Sequence, residues 1–339
     1  MAASRKIRLV FPTAAEAEDS IAGVARAARA VASLSSAVGS IWIDIANGDH
    51  LSAKTMDDIR RANRQVVLVS APDDRDAYDL EPLPRDPTIA EILNATGKPS
   101  DGIVSRWINR PVSRLISRFL LTIPAVRPVH ATVLTAVFGI AMFCCLLTGS
   151  YWGLVAGGLL FHAASVIDGV DGEIARATFR SSPRGAMLDT AVDMVVNVSF
   201  VIGLTVSLTT LYGPVQAALG ASAITLIVSG LVIVAWLARR VGDPGNFNVI
   251  KMFYRSNFPS GVAAKITDAL VFATSRDFFA LLFAVLIMIG LGQSIPALLN
   301  GFAVLWLALI LFSVRPILAG CAPPSPLGGS KGDLRRQTA

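Results

Sequence analysis

Apolar and polar positions along the 339-residue chain change rhythm several times, and each change predicts a different kind of element. Up to about residue 75, three short β-rich runs (KIRLVFP, IWIDIA and QVVLVSAP) alternate with Ala-rich or charged helical segments near 15–34 and 53–63, the pattern of a small soluble α/β module. Residues 76–102 are rich in Pro and Asp and read as a linker. Residues 103–122 repeat at about 100° per residue: Arg106, Arg110, Arg114 and Arg118 form one stripe, and Val104, Ile108, Val112, Leu115, Ile116 and Phe119 the opposite face. This predicts an amphipathic helix lying in a membrane interface with its arginines toward lipid phosphates, kinked or restarted at Pro111. Six apolar stretches of spanning length follow, at about 129–149, 152–174, 186–209, 214–238, 277–293 and 295–317, and a disordered tail at 321–339. The predicted class is an all-α integral membrane protein of six transmembrane helices in a unit at 123–320, carrying a small N-terminal α/β domain.

Charge gives the spans a direction. The joints TGSY, TTLYGP and GQS hold no Lys or Arg, whereas Arg176, Arg180, Arg184, Arg239, Arg240, Lys251, Arg255, Lys265 and Arg276 sit at the other ends. Positive residues mark the cytoplasmic side, so both termini are expected inside. With 53% hydrophobic and 16% charged residues, the composition excludes an ordinary soluble enzyme. The net charge of +6 flanks apolar spans and so points to a membrane surface rather than nucleic acid. Cys144, Cys145 and Cys321 lack metal-ligand spacing and read as packing residues. The N-terminal module has no Gly-rich phosphate loop, so a non-catalytic cap or docking role is expected of it.

The exception to the apolar pattern is DGVDGEIARATFRSSPRGAMLDTAVD, residues 168–193, at the ends of the second and third spans. On a helix, Asp168, Asp171, Gly172, Ala175 and Arg176 share one face; Asp189 and Asp193, four residues apart, stack on another, with Gly185 one turn before them. An ionised side chain in a span costs at least about 2.5–3.5 kcal/mol, so such residues face the bundle interior and usually have a function. Four converging carboxylates without histidine or cysteine call for a hard divalent cation, Mg²⁺ or Mn²⁺. An ion-conduction path, as in a cation transporter, and a structural ion-pair network with the nearby arginines are the alternatives.

The spacing D-x-x-D-G-x-x-A-R-x₈-G-x-x-x-D-x-x-x-D resembles the signature of the CDP-alcohol phosphotransferase (CDP-alcohol phosphatidyltransferase) family, over roughly residues 98–318. The lead-in KPSDGIVSRWINRPVSRLIS is similar to the synthase half of bifunctional inositol-phosphate cytidylyltransferase/di-inositol-phosphate-phosphate synthases, which would make the N-terminal module a nucleotidyltransferase remnant. The resemblance implies an enzyme that displaces CMP from a CDP-linked donor with an alcohol hydroxyl, as a homodimer in membrane lipid, and the charge bias places its acidic stretch on the cytoplasmic side. By analogy Asp168, Asp171 and Asp189 hold a pair of metal ions, and Asp193 borders the metals and acts as general base. Asp168, Gly172, Ala175, Arg176 and Thr132 would meet the nucleotide, although Val129 stands where the family often has Asn before the His-x-Thr of His130–Thr132. Gly185 keeps room for a ligand or a close helix contact. Arg276, with Arg239 and Arg127 as weaker candidates that equally suit a positive-inside anchor, would bind an acceptor phosphate; His130 would sit near the nucleotide or cap its helix. The donor is either CDP-diacylglycerol or a soluble CDP-alcohol such as CDP-inositol. An inactive scaffold derived from the family is the remaining alternative.

Overall fold

The computed structural model describes residues 5–34, 38–62, 66–68, 74–97, 102–123, 125–241, 249–257 and 275–321; the expected tail past Cys321 and the lead-in at 98–101 lie outside them. The chain divides into two compact units, Met1–Asp101 with Arg110–Thr132 and Asp168–Ala186, and Gly102–Asn109 with Val133–Ile167 and Met187–Ala339.

In the first unit, β1 (Arg5–Phe11), β4 (Val38–Ile45), β5 (Val66–Leu68) and β6 (Asp79–Leu80) form a parallel sheet in the order β5-β4-β1-β6. Ile7, Leu9 and Phe11 alternate inward from β1 and meet Ile41, Ile43 and Ile45 of β4 in one core with the helices α2 (Arg26–Ser33) and α3 (Ala53–Ala62). The expected helix at 15–34 is instead α1 (Ala14–Glu18), a hairpin of β2 (Ser20–Ile21) and β3 (Val24–Ala25), and α2. Ala22 and Gly23, at φ +51° and +74°, close that hairpin, since positive φ at both turn positions matches the twist of two paired strands. The sheet also runs past the expected boundary at 75: β6 lies in the supposed linker and pairs with β1 at Ile7 and Arg8. The rest of that segment carries α4 (Ile89–Ala95), started by a capping box in which Thr88 and Glu91 exchange side-chain and backbone bonds.

Helix α5 (Arg110–Leu120) follows a wide turn at Ser105–Asn109, where Pro111 has no N–H to continue the usual ladder. Its faces correct the sequence reading. Trp107, Ile108, Val112, Leu115 and Phe119 are exposed, as an interfacial helix requires, but the arginines do not form one outward stripe. Arg110 is buried, Arg114 bonds the Asn94 side chain at 2.9 Å, and Arg106 and Arg118 stay exposed.

The long helices are α6 (Pro128–Leu147), α7 (Tyr151–Ala177), α8 (Pro183–Tyr212) and α9 (Pro214–Arg240), followed by α10 (Val249–Asn257), α11 (Arg276–Met288) and α12 (Ile295–Pro316). Pro128, Pro183 and Pro214 stand at helix starts, where a missing N–H costs nothing. Among the described residues, five helices are long and apolar enough to cross a membrane: α6, α7, α8, α9 and the last, at Gly292–Ala319. The protein is therefore an integral, multi-pass membrane protein. The expected fifth span, 277–293, is the 13-residue α11, which stops early because Gly290 at φ +81° ends it. There Leu291 N–H returns to Leu286 C=O at 2.8 Å and Gly290 N–H to Ile287 C=O at 3.1 Å, the two bonds of a Schellman cap. Within the second unit, Met142, Leu146, Leu154, Phe161, Val196, Phe200, Phe283 and Leu299 form the membrane core.

Candidate active site

Helix α7 carries its carboxylates near its C-terminal end and α8 near its N-terminal end, joined by the five residues between Ala177 and Pro183. Phe161 of α7 stacks on Phe200 of α8 with ring centroids 3.9 Å apart and planes 8° from parallel. Seven residues on from Phe161 is Asp168, and seven before Phe200 is Asp193, so two antiparallel helical turns bring these carboxylates to one level. Asp168, Asp189 and Asp193 each offer a carboxylate oxygen within 4.8 Å of the others, a group able to hold a metal ion. All three are half-buried, and the donor set is all oxygen, which suits Mg²⁺ or Mn²⁺ and not a soft metal.

Asp171 is not in that trio. It is buried and accepts a 2.9 Å bond from the hydroxyl of buried Thr132, so this threonine, expected at the nucleotide, orients a carboxylate of the motif. Gly172 has a local purpose: a Cβ there would meet Arg176 Nη1 at 2.9 Å, so its absence lets that guanidinium fold back along the helix. Arg176 Nε donates to the Thr96 carbonyl at 2.8 Å, tying α7 to the end of α4. The Ala175 carbonyl takes the Arg180 N–H at 2.8 Å and belongs to the helix end.

Between these residues in the chain, Glu173 is 0% exposed and accepts from Arg110 Nη1 at 2.8 Å, Ser113 Oγ at 2.7 Å and Ser117 Oγ at 2.6 Å. Sequence reasoning passed over it. The signal was the face shared by Arg110, Ser113 and Ser117 on α5, but nothing local names its partner 63 residues away.

Asp193 forms an ion pair with Arg276, which starts α11, so the basic residue expected to bind an acceptor phosphate does stand beside the expected base. The adjacent Asp277 accepts from Asn109 Nδ2 at 3.0 Å and Ser165 Oγ at 2.7 Å, fixing the first turn of α11. Arg276 also borders a cavity of about 400 Å³, otherwise lined by apolar side chains such as Phe161, Val198, Ile227, Phe279 and Trp306, with Asn197 the other polar group. Ligand pockets commonly combine such walls with a few placed polar groups.

The remaining expectations fall elsewhere. Gly185 is exposed, and among the described residues a Cβ on it would meet only Ser182 Oγ, at 3.0 Å, so no described helix presses on it. Arg239 is exposed at the end of α9, the place of an interfacial cation. Arg127 is exposed too, and its N–H donates to His130 Nδ1 at 3.2 Å, which makes His130 a cap of α6.

Comparison with known proteins completes the description. The profile of the CDP-alcohol phosphatidyltransferase family matches residues 125–314. A bifunctional IPC transferase and DIPP synthase of Aquifex aeolicus is 40% identical over 108 residues, 32% of this chain and 24% of that protein. The proteins of the same name from Archaeoglobus fulgidus and Thermococcus kodakarensis are each 32% identical, over 48% and 45% of this chain and 25% and 33% of their own lengths. The chain thus spans about a quarter to a third of the curated relatives it matches.

Proposed function

We infer the function from one premise: the chain belongs to the CDP-alcohol phosphatidyltransferase family, and is therefore a transferase. The reaction we propose transfers a substituted phosphate from a CDP-linked donor to the hydroxyl of an acceptor alcohol. The observation that carries it is the convergence of Asp168, Asp189 and Asp193 within a complete family motif. The acceptor oxygen forms a bond to the transferred phosphorus, the pyrophosphate P–O bond breaks, and CMP leaves with its electron pair. The acceptor's proton passes to the carboxylate of Asp193, the general base. Asp168, Asp189 and Asp193, with Asp171 beside them, would hold the Mg²⁺ or Mn²⁺, in the family manner a pair of ions. When bound, the metal neutralises charge on the attacking and leaving oxygens.

This chain's own residues prepare that chemistry. Arg276, paired with Asp193, would also meet a phosphate on the acceptor. Thr132 fixes Asp171, and Arg176, folded back over Gly172, would meet a phosphate of the donor. By the positive-inside bias, the site and both termini face the cytoplasm, and the family resemblance supports a homodimer.

Two donor classes follow from two observations. The names of the relatives favour an inositol-containing acceptor or donor. The apolar cavity beside Arg276 favours a substrate with a hydrocarbon chain, as in CDP-diacylglycerol. Purified protein supplied with each donor, an inositol phosphate or glycerol phosphate, and Mg²⁺ or Mn²⁺ should release CMP with one donor class. EDTA should abolish the release and added metal restore it; turnover that persists in metal-free buffer would refute the assignment.

A further inference from the structure

We infer that the N-terminal α/β module positions the aspartate-bearing hairpin, with Phe179 as the positioning residue. The inference rests on the phosphotransferase reading above and concerns how that site is held in shape. Helix α7 ends in the same cap as α11: Arg180 N–H returns to Ala175 C=O at 2.8 Å and Phe179 N–H to Arg176 C=O at 3.3 Å. The residue between must take positive φ, and glycine is the usual choice. In α11 it is Gly290; in α7 it is Phe179, at φ +55°. A bulky side chain in this conformation persists only where its surroundings hold it there.

Those surroundings belong to the module. Phe179 packs against the sheet core that contains Leu9, Phe11 and Ile43. The guanidinium carbon of Arg29, on α2, lies 5.2 Å from the ring centroid. Arg29 is itself buried and donates from Nε and Nη2 to the Ile21 carbonyl at 3.2 and 3.1 Å. Ile21 leads into the Ala22–Gly23 turn, and Ala22 packs in one cluster with Val170, Ile174 and Ala177 of α7. The module therefore grips the end of α7 twice, through the hairpin turn along the helix and through Phe179 beyond it. Between these grips and α8 lie only the residues that connect Asp168 and Asp171 to Asp189 and Asp193. A domain without a phosphate loop thus acts on phosphate chemistry by fixing the joint of the metal-binding hairpin.

The test compares full-length Phe179→Gly, Phe179→Leu and Phe179→Tyr with the parent, by Mn²⁺ titration followed by electron paramagnetic resonance and by CMP release against donor concentration. Glycine suits the cap, so Phe179→Gly should melt near the parent while its apparent Kd for Mn²⁺ and its KM for donor rise on the order of tenfold, as when an outer support of a metal site is lost. Phe179→Tyr, which keeps the ring, should stay close to the parent. If Phe179→Gly melts early, Phe179→Leu, which keeps an apolar plug, carries the same comparison: weakened Mn²⁺ binding at parental melting temperature supports the inference. Parental Mn²⁺ and donor constants in the stable variant lacking the ring would overturn this inference alone. A parent that binds no Mn²⁺ would overturn the functional reading and this inference with it.

Discussion

With no exposed surface and three donors around its carboxylate, Glu173 constrains the helix that carries Asp171 and Arg176. Glu173→Ala would leave the buried Arg110 guanidinium without its carboxylate, a loss of about 3–5 kcal/mol by the usual cost of breaking a buried pair. Melting in detergent should show a large drop, and an unchanged midpoint would mean that solvent reaches this pair. At the carboxylates proposed to react, the expected effects are kinetic. Asp193→Asn keeps size and removes basicity, so kcat should fall on the order of 10²-fold or more with donor affinity less affected. Asp189→Asn should weaken metal and donor binding together; equal losses of donor affinity in both variants would deny Asp193 its role as base. Thr132→Val should resemble a mild defect in Asp171, and Thr132→Ser should retain function, because the hydroxyl at 2.9 Å is what orients that carboxylate. The motif aspartates were legible because an ionised residue in an apolar run is conspicuous. Glu173 and the bond from Thr132 to Asp171 were not, because the partners lie 63 and 39 residues away and only packing reveals the pairing.

At the scale of elements, apolar runs located the spans well because hydropathy over about 20 residues reports the bilayer rather than the neighbours. Ends were less legible. Gly290 was read through as part of a span, whereas its positive φ stops α11, and the Ala-rich segment at 15–34 hid a hairpin whose strands are two residues each. Helix contacts obey the same limit. A Cβ on Gly230 of α9 would lie 2.2 Å from Cζ3 of Trp306 on α12, a close approach that the sequence shows only as one more glycine. Gly230→Ala should therefore destabilise the protein by about 1–3 kcal/mol, the range for overpacking a tight contact. Trimming the partner in Gly230→Ala/Trp306→Leu should recover part of the loss. If the double variant melted no higher than Gly230→Ala, another contact would set this spacing.

For the whole molecule, the distribution of charge supports the orientation proposed above, in which the short joints after α6 and α8 would face away from the cytoplasm and the α7–α8 connection would face it. The joint at Thr148–Ser150 has no Lys or Arg, whereas Arg176, Arg180 and Arg184 surround the connection between α7 and α8. Retaining positive residues on the cytoplasmic side sets orientation during insertion, so this asymmetry is a physical cause of topology as well as a marker of it. It also bears on function, since CDP-linked donors would have to reach Asp168, Asp189 and Asp193 from the side on which they are made. The prediction is tested with Cys144, Cys145 and Cys321 replaced by Ala or Ser and single cysteines placed at Ser150 and Ser181, both exposed positions. A membrane-impermeant maleimide added to intact cells should label Ser150→Cys at once and Ser181→Cys only after the membrane is opened. The reverse pattern would place the carboxylates on the outer face, and with it refute the cytoplasmic assignment of the site. Labelling of both from outside would show that α7 does not cross the bilayer, against its 27-residue apolar length.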